Sequence, residues 1–218
     1  VQNSLNLSEQ SIHKIFVLKN HNDKNFEVAV QDSSQMLRLI SAKGDVLWSK
    51  KLDGLIVDDI KQIDFFANGK LQMLFSTGKQ LHIIDRLGNY VKPYPSDLSF
   101  QSKFMGVIDY DHSKKYRFVL SDKDGKIFMV DKQFLLLDGW KPLSADAGEL
   151  LTSPRHFRVS GKDYIAVVYK KGVFSLYNRR GEIIKGFPVD IKGRLKQDFH
   201  LITKSVDNQP YFVFVTLD

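Results

Sequence analysis

The sequence contains no cysteine. That excludes a disulfide framework, a thiol nucleophile, a Cys-ligated zinc and a CxxC redox site, and it leaves the compartment open. Only two tryptophans and six prolines occur among 218 residues. No apolar run approaches the ~18 residues needed to cross a bilayer, so no membrane insertion is expected of this chain. No window combines helical apolar spacing with capping residues, and no helix is expected beyond a turn within Ser144 to Leu151. Low-complexity tracts are missing too. Hydrophobic residues at 43% and charged residues at 26% exclude a disordered chain, a collagen and a coiled coil. The start, Val1-Gln2-Asn3-Ser4, has neither an initiator methionine nor a signal-peptide apolar region, and the expectation is a piece of something longer.

Lys and Arg number 32 against 25 Asp and Glu, a net charge of +7. The excess is scattered. Its densest groups are the short pairs Lys50-Lys51, Lys114-Lys115, Lys170-Lys171 and Arg179-Arg180, each near an expected turn or strand end. A nucleic-acid footprint concentrates charge on one face, so these pairs read as solvated surface and no nucleic-acid partner is expected. The hydrolase, zinc-protease, P-loop and dinucleotide signatures G-x-S-x-G, H-E-x-x-H, G-x-x-x-x-G-K-[ST] and G-x-G-x-x-G do not occur. Asn6-Leu7-Ser8 matches the glycosylation sequon, a tripeptide common by chance.

What is present is an internal repeat. Ser41, Asp85, Asp131 and Asn178 recur at spacings of 44, 46 and 47 residues. Each follows apolar residues at the positions four, two and one before it, and three of the four have Gly three residues later. A Ser, Asp or Asn side chain can bond backbone two residues on, and Gly accepts a positive φ, so each anchor marks a hairpin. Phe134 stands in the Gly position of the third repeat, where a turn of different length or type is expected. Two further apolar runs precede each anchored strand, joined by polar loops such as Thr77-Gly78-Lys79 and Lys123-Asp124-Gly125.

Each repeat thus supplies four antiparallel strands, and a meander of this length must stack on its neighbours to bury both faces. The reading is all-β: a β-propeller of four-stranded antiparallel blades at about 12–54, 58–99, 104–143 and 156–193, with a partial fifth at 199–218. The whole of 1–218 is read as one propeller domain or a fragment of a larger one. The innermost strands are expected at His13 to Leu18, Ile60 to Phe66, Phe104 to Tyr110, His156 to Val159 and Phe199 to Thr203, around one common axis.

The fourth strands end in Val46-Leu47-Trp48, Lys92-Pro93-Tyr94-Pro95, Asp138-Gly139-Trp140-Lys141-Pro142 and Lys185-Gly186-Phe187-Pro188. With the polar-X-X-Gly hairpins, these ends resemble the blades of quinoprotein-like (PQQ-type) propellers and of bacterial surface propellers with FG-GAP-type repeats. The resemblance implies that Trp48, Tyr94, Trp140 and Phe187 wedge between blades as core, as large aromatics do between packed layers. FG-GAP-type propellers often hold calcium in an acidic loop. The nearest match here, Asp109-Tyr110-Asp111-His112-Ser113-Lys114, lacks the third acid and the Gly, and no metal is expected there. A quinone-dependent dehydrogenase of that kind would need a tryptophan motif in every blade and a cationic cofactor seat, so no cofactor and no catalytic residue are assigned.

The six histidines are dispersed without metal-ligand spacing. His156 and His200 stand at or beside the start of an expected innermost strand, and they are the candidate binding residues, lining a central channel. Strong architecture without a chemical motif points to a non-enzymatic interaction or scaffold module, with function in the blade-connecting loops. The expected setting is a bacterial cell-envelope protein, periplasmic or extracellular, with a protein or polysaccharide partner. The alternative is a fragment of a catalytic or quinone-binding propeller whose site lies in further blades.

Overall fold

The computed structural model describes residues 11–137, 140, 147–196, 198–202 and 210–217, and every regular element among them is a β-strand. The sequon Asn6 to Ser8, the strand-end residues Asp138, Gly139, Lys141 and Pro142, Ser144 to Asp146 of the loop, and Thr203 lie outside the described residues. The chain divides into two compact units, Val1–Ser102 and Lys103–Asp218.

The first unit holds two four-stranded meanders. One runs β1 (Ile12–Lys19), β2 (Phe26–Asp32), β3 (Met36–Ile40) and β4 (Val46–Lys51); the other runs β5 (Lys61–Ile63), β6 (Gln72–Ser76), β7 (Gln80–Ile84) and β8 (Ser96–Asp97). Each pairs with its sequence neighbour, antiparallel throughout. Strand alternation sends Phe16, Leu18, Ala29, Leu37 and Leu39 of the first meander into one core with Ile60, Met73, Phe75 and Ile84 of the second. Trp48 and Tyr90 pack at its margin.

The second unit repeats the plan with β9 (Ser102–Ile108), β10 (Arg117–Asp122) and β11 (Ile127–Asp131), then β12 (Arg155–Val159), β13 (Lys162–Val168), β14 (Val173–Tyr177) and β15 (Val189–Asp190). A two-stranded sheet of β16 (His200–Ile202) and β17 (Tyr211–Val213) follows. Here Ile108, Val119, Ile127, Met129 and Trp140 pack against Ile165, Val167, Tyr169 and Tyr177. A second core joins Ala166, Val168, Phe174 and Leu176 to Phe199, Phe212 and Phe214.

The repeat anchors make one turn four times. Asp85 Oδ1 accepts from Leu87 N and Asn89 N at 2.9 Å each, and Gly88 N donates to Asp85 O at 3.1 Å. Asn178 Oδ1 receives Arg180 N and Glu182 N, and Ser41 Oγ receives Lys43 N and Asp45 N. The third repeat does not depart from this pattern, contrary to the expectation from Phe134. Asp131 Oδ1 accepts from Gln133 N and Leu135 N at 2.9 Å, Phe134 N donates to Asp131 O at 3.0 Å, and Phe134 itself takes the left-handed φ of 65°. The two amide bonds to the carboxylate hold the turn although its fourth residue has a Cβ. Asp131→Ala is therefore expected to cost about 1–2 kcal/mol in urea unfolding and Asp131→Asn clearly less, since net hydrogen bonds contribute about 0.5–1.5 kcal/mol each.

The fourth strands differ most from expectation. Among the described residues only β4 runs unbroken. In the second and fourth meanders a single bridge (Ile84 to Tyr90, Tyr177 to Ile183) is followed by a turn, and the chain rejoins the sheet as the two-residue β8 or β15. The turn is shared: Tyr94 N donates to Val91 O, Trp140 N to Leu137 O and Phe187 N to Ile184 O. Pro93, Pro95 and Pro188 lack the N–H a continuous ladder needs, which explains the break beside Tyr94 and Phe187. The expected strand Ile60 to Phe66 also shortens to β5, because the Asp64 carboxylate accepts from Asn68 N and Gly69 N and turns the chain out of the ladder.

Candidate functional site

The site is built on the β12–β13 hairpin of the second unit. Its connection is the pair Ser160–Gly161, both at positive φ (49° and 76°), the two-residue turn whose twist matches flanking strands. Register places Asp163 directly opposite Arg158 and His156 opposite Ile165. Residues two apart share a face of a strand, so His156, Arg158 and Asp163 emerge on one side. The neighbouring anchor turn then delivers Arg179, one residue after Asn178.

Asp163 is the hub, with its side chain only 4% exposed. Its Oδ1 lies 2.8 Å from His156 Nε2, and its Oδ2 accepts from Arg179 Nε at 2.7 Å and faces Arg179 Nη2 at 2.6 Å. Arg158 Nη1 stands 3.5 Å from the same oxygen. Burial alone would raise the Asp163 pKa, but the hydrogen bonds from His156 and Arg179, with the charges of Arg179 and Arg158, hold it below the usual carboxylate range. Tyr110 completes the cluster: its ring meets the His156 ring edge-on at 5.1 Å and lies under the Arg179 guanidinium at 4.4 Å. Burial, opposed by Arg179, pushes the Tyr110 hydroxyl up to about 12.

Beside this cluster runs an open groove of about 600 Å³ between the β12–β13 turn and the Asn178 turn. Arg158, Lys162, Arg179 and Arg180 line it with Asp163 and Glu182, and Tyr164 and Ile184 contribute its apolar surface. The arrangement fixes charge in place. Among the described residues no hydroxyl is hydrogen-bonded to His156, so no nucleophile–base pair is assembled there.

The structure thus draws one of the two candidate histidines into a polar cluster. His200, exposed in β16 opposite Val213, is outside the cluster and does not line the groove. Sequence reading missed Asp163, Arg158, Tyr110 and Arg179, the last taken as part of a solvated pair. A signal for Arg179 was present at the level of the repeat. In the first unit Glu27, like Asp163 the second residue of its strand, is bonded through both carboxylate oxygens to Arg86, which like Arg179 directly follows an anchor. Trp48 Nε1 donates to Arg86 O at 2.9 Å, tying that turn to the first meander.

Two other polar groups have local roles. In the Asp109–Lys114 loop, Asp109 accepts from Lys114 N and Asp111 from Ser113 Oγ, so both carboxylates serve the loop's own turns. His82, 1% exposed, stacks on Phe75 at 5.0 Å with Nε2 3.0 Å from Asp53. Burial pushes its pKa down against the pull of Asp53.

No family model and no curated protein matches the sequence. Solved structures do. Two are of BBS1N in complex with ARL6DN, one soaked with mercury (TM-score 0.62, 12% identity, 90% of this chain and 59% of that one) and one with lead (TM-score 0.59, 12% identity, 88% and 60%). Another is BamB from Moraxella catarrhalis (TM-score 0.52, 20% identity, 85% and 51%). These neighbours are propellers, and their likeness covers nearly all of this all-β chain. The fold is a β-propeller fold. The chain spans between one half and three fifths of the length of these neighbours.

Proposed function

We propose that this propeller chain is a non-enzymatic interaction module that engages a protein partner through its blade-connecting loops. The carrying observation is the groove between the β12–β13 turn and the Asn178 turn, whose Arg179 is held by Asp163 before any partner arrives. Side chains ordered in advance lose less entropy on binding, which is what a recognition surface needs. That one propeller neighbour is solved in complex with another protein supports the reading. A cell-envelope setting in a bacterium is part of the proposal and rests on the resemblance of the blade ends to bacterial surface propellers.

The test is site-specific photo-crosslinking in cells that make the protein, with the reactive residue at Lys162 beside the groove or at Lys43 in an anchor turn of the first unit. A discrete protein adduct from position 162, missing at position 43, is the expected result. Equal, diffuse labelling from both positions would sink the proposal.

A further inference from the structure

We infer that the groove on the second unit takes an extended acidic peptide segment that carries an apolar side chain between its carboxylates. This deepens the interaction reading and rests on it.

Four cationic side chains line the groove against two carboxylates. Both carboxylates are engaged already: Asp163 by His156 and Arg179, and Glu182 by Asn178 Nδ2 at 2.7 Å. Arg158 Nη1 donates to Tyr110 O at 3.3 Å and reaches Asp163 at 3.5 Å, and 49% of its side chain stays exposed. Lys162 and Arg180 are exposed, and among the described residues neither side chain has a hydrogen bond or an ion pair. Two cations, Lys162 and Arg180, therefore stand beside one cleft with no counter-charge among the described residues, and Arg158 adds a half-exposed third. Carboxylates are the complementary groups, and each pair formed at a partly desolvated groove strengthens as water leaves.

The lining adds a second requirement. Tyr164 and Ile184 are half-buried, so apolar surface lines the groove together with the cations. Both are fixed: Tyr164 stacks on Phe157 at 5.5 Å and 23°, and Ile184 N donates to Leu176 O at 2.8 Å. A purely polar polyanion would leave that surface wet, whereas an aliphatic or aromatic side chain would cover it. The groove is open along its length, as suits an extended segment, and its volume falls in the range that accepts a few side chains. A neutral polysaccharide is disfavoured because it would leave the cations along the groove without counter-charge. Nucleic acid is disfavoured because the cations are confined to two neighbouring turns instead of tracking a backbone.

The probe is a fluorescein-labelled hexapeptide, Glu-Asp-Leu-Phe-Asp-Glu, titrated by anisotropy against the full chain. Controls are its Gln/Asn counterpart, a version with Ser at both apolar positions, and a ten-residue oligothymidylate. Expected are saturable binding of the acidic apolar peptide, at least tenfold weaker binding of both altered peptides, and at least tenfold loss in the Lys162→Glu/Arg180→Glu chain. Both substitutions lie at exposed positions, and an unchanged urea midpoint verifies the fold. Equal affinity for the neutral peptide, no loss in the double variant, tighter binding of the oligothymidylate, or no binding at millimolar peptide would each overturn the inference. Crosslinking from position 162, which itself removes the Lys162 charge, keeps the two readings apart when Arg180→Glu is added: a protein adduct that survives leaves the interaction module standing while the acidic peptide falls.

Discussion

Trp140→Ala is expected to lower the stability of the second unit by about 3–5 kcal/mol, the range for deleting a large buried aromatic. Trp140 is 9% exposed, and the core cluster it belongs to is drawn from two meanders, with Val119, Ile127 and Met129 from one and Ile165, Val167 and Tyr169 from the other. Its removal would open a cavity between the two sheets that neither can close alone. The indole Nε1 is buried and among the described residues has no hydrogen-bond partner. The ring is thus held by packing, and Trp140→Phe is expected to retain most of the stability that Trp140→Ala loses. The first unit supplies the contrast, because Trp48 is half-buried and its Nε1 donates to Arg86 O. Urea unfolding of the three Trp140 proteins side by side decides the matter. A Trp140→Ala loss within about 0.5 kcal/mol, the range of surface changes, would make the residue a surface platform instead.

How far the sequence could be read depended on whether the information was local. Ser41, Asp85, Asp131 and Asn178 announce their turns because an Asx-type side chain and the two amides it binds lie within four residues. The central strands β6, β10 and β13 are legible for the same reason, as runs of apolar residues covered on both faces. Phe134 misled because its turn is held by the carboxylate at Asp131, so the residue type at the fourth position did not control the geometry. The fourth strands were legible only as composition: Pro93 and Pro188 were visible, but the turn that places Tyr94 and Phe187 was not. The candidate site lay furthest from view. His156 stands out for its place at a strand start, whereas Asp163 meets it by cross-strand register, and Arg179 and Tyr110 arrive from the turns that follow β14 and β9. Two-residue basic pairs look alike in sequence, and only the folded geometry reveals that Arg179 is clamped by Asp163 while the Arg180 side chain has no ion pair among the described residues.

That clamp sets the second large effect. Asp163→Asn is expected to cost about 2–3 kcal/mol at neutral pH. Removing one partner of a fully buried ion pair costs about 3–5 kcal/mol, and the lower figure follows because Arg179 and Arg158 keep 48% and 49% of their side chains in water, which takes up part of the abandoned charge. The pH dependence carries a sign of its own. The native Asp163 carboxyl is held below its ordinary value, so the unfolded chain binds the proton first. Its contribution is complete above the unfolded-state pKa of about 3.9 and is lost as pH falls through the native value. An Asn at 163 has nothing to titrate, so the stability gap between the two proteins should narrow as pH drops below about 4. Both proteins keep Asp32, which the bonds from Arg38, Ser34 and Met36 N lower to about 2 in spite of burial, so acid still weakens the variant through that residue. Urea midpoints at about pH 7, 5 and 3 read the gap directly. If it stays constant across that range, Asp163 is not the charged hub of the cluster, and Arg179 must be positioned by its stacking on Tyr110 alone.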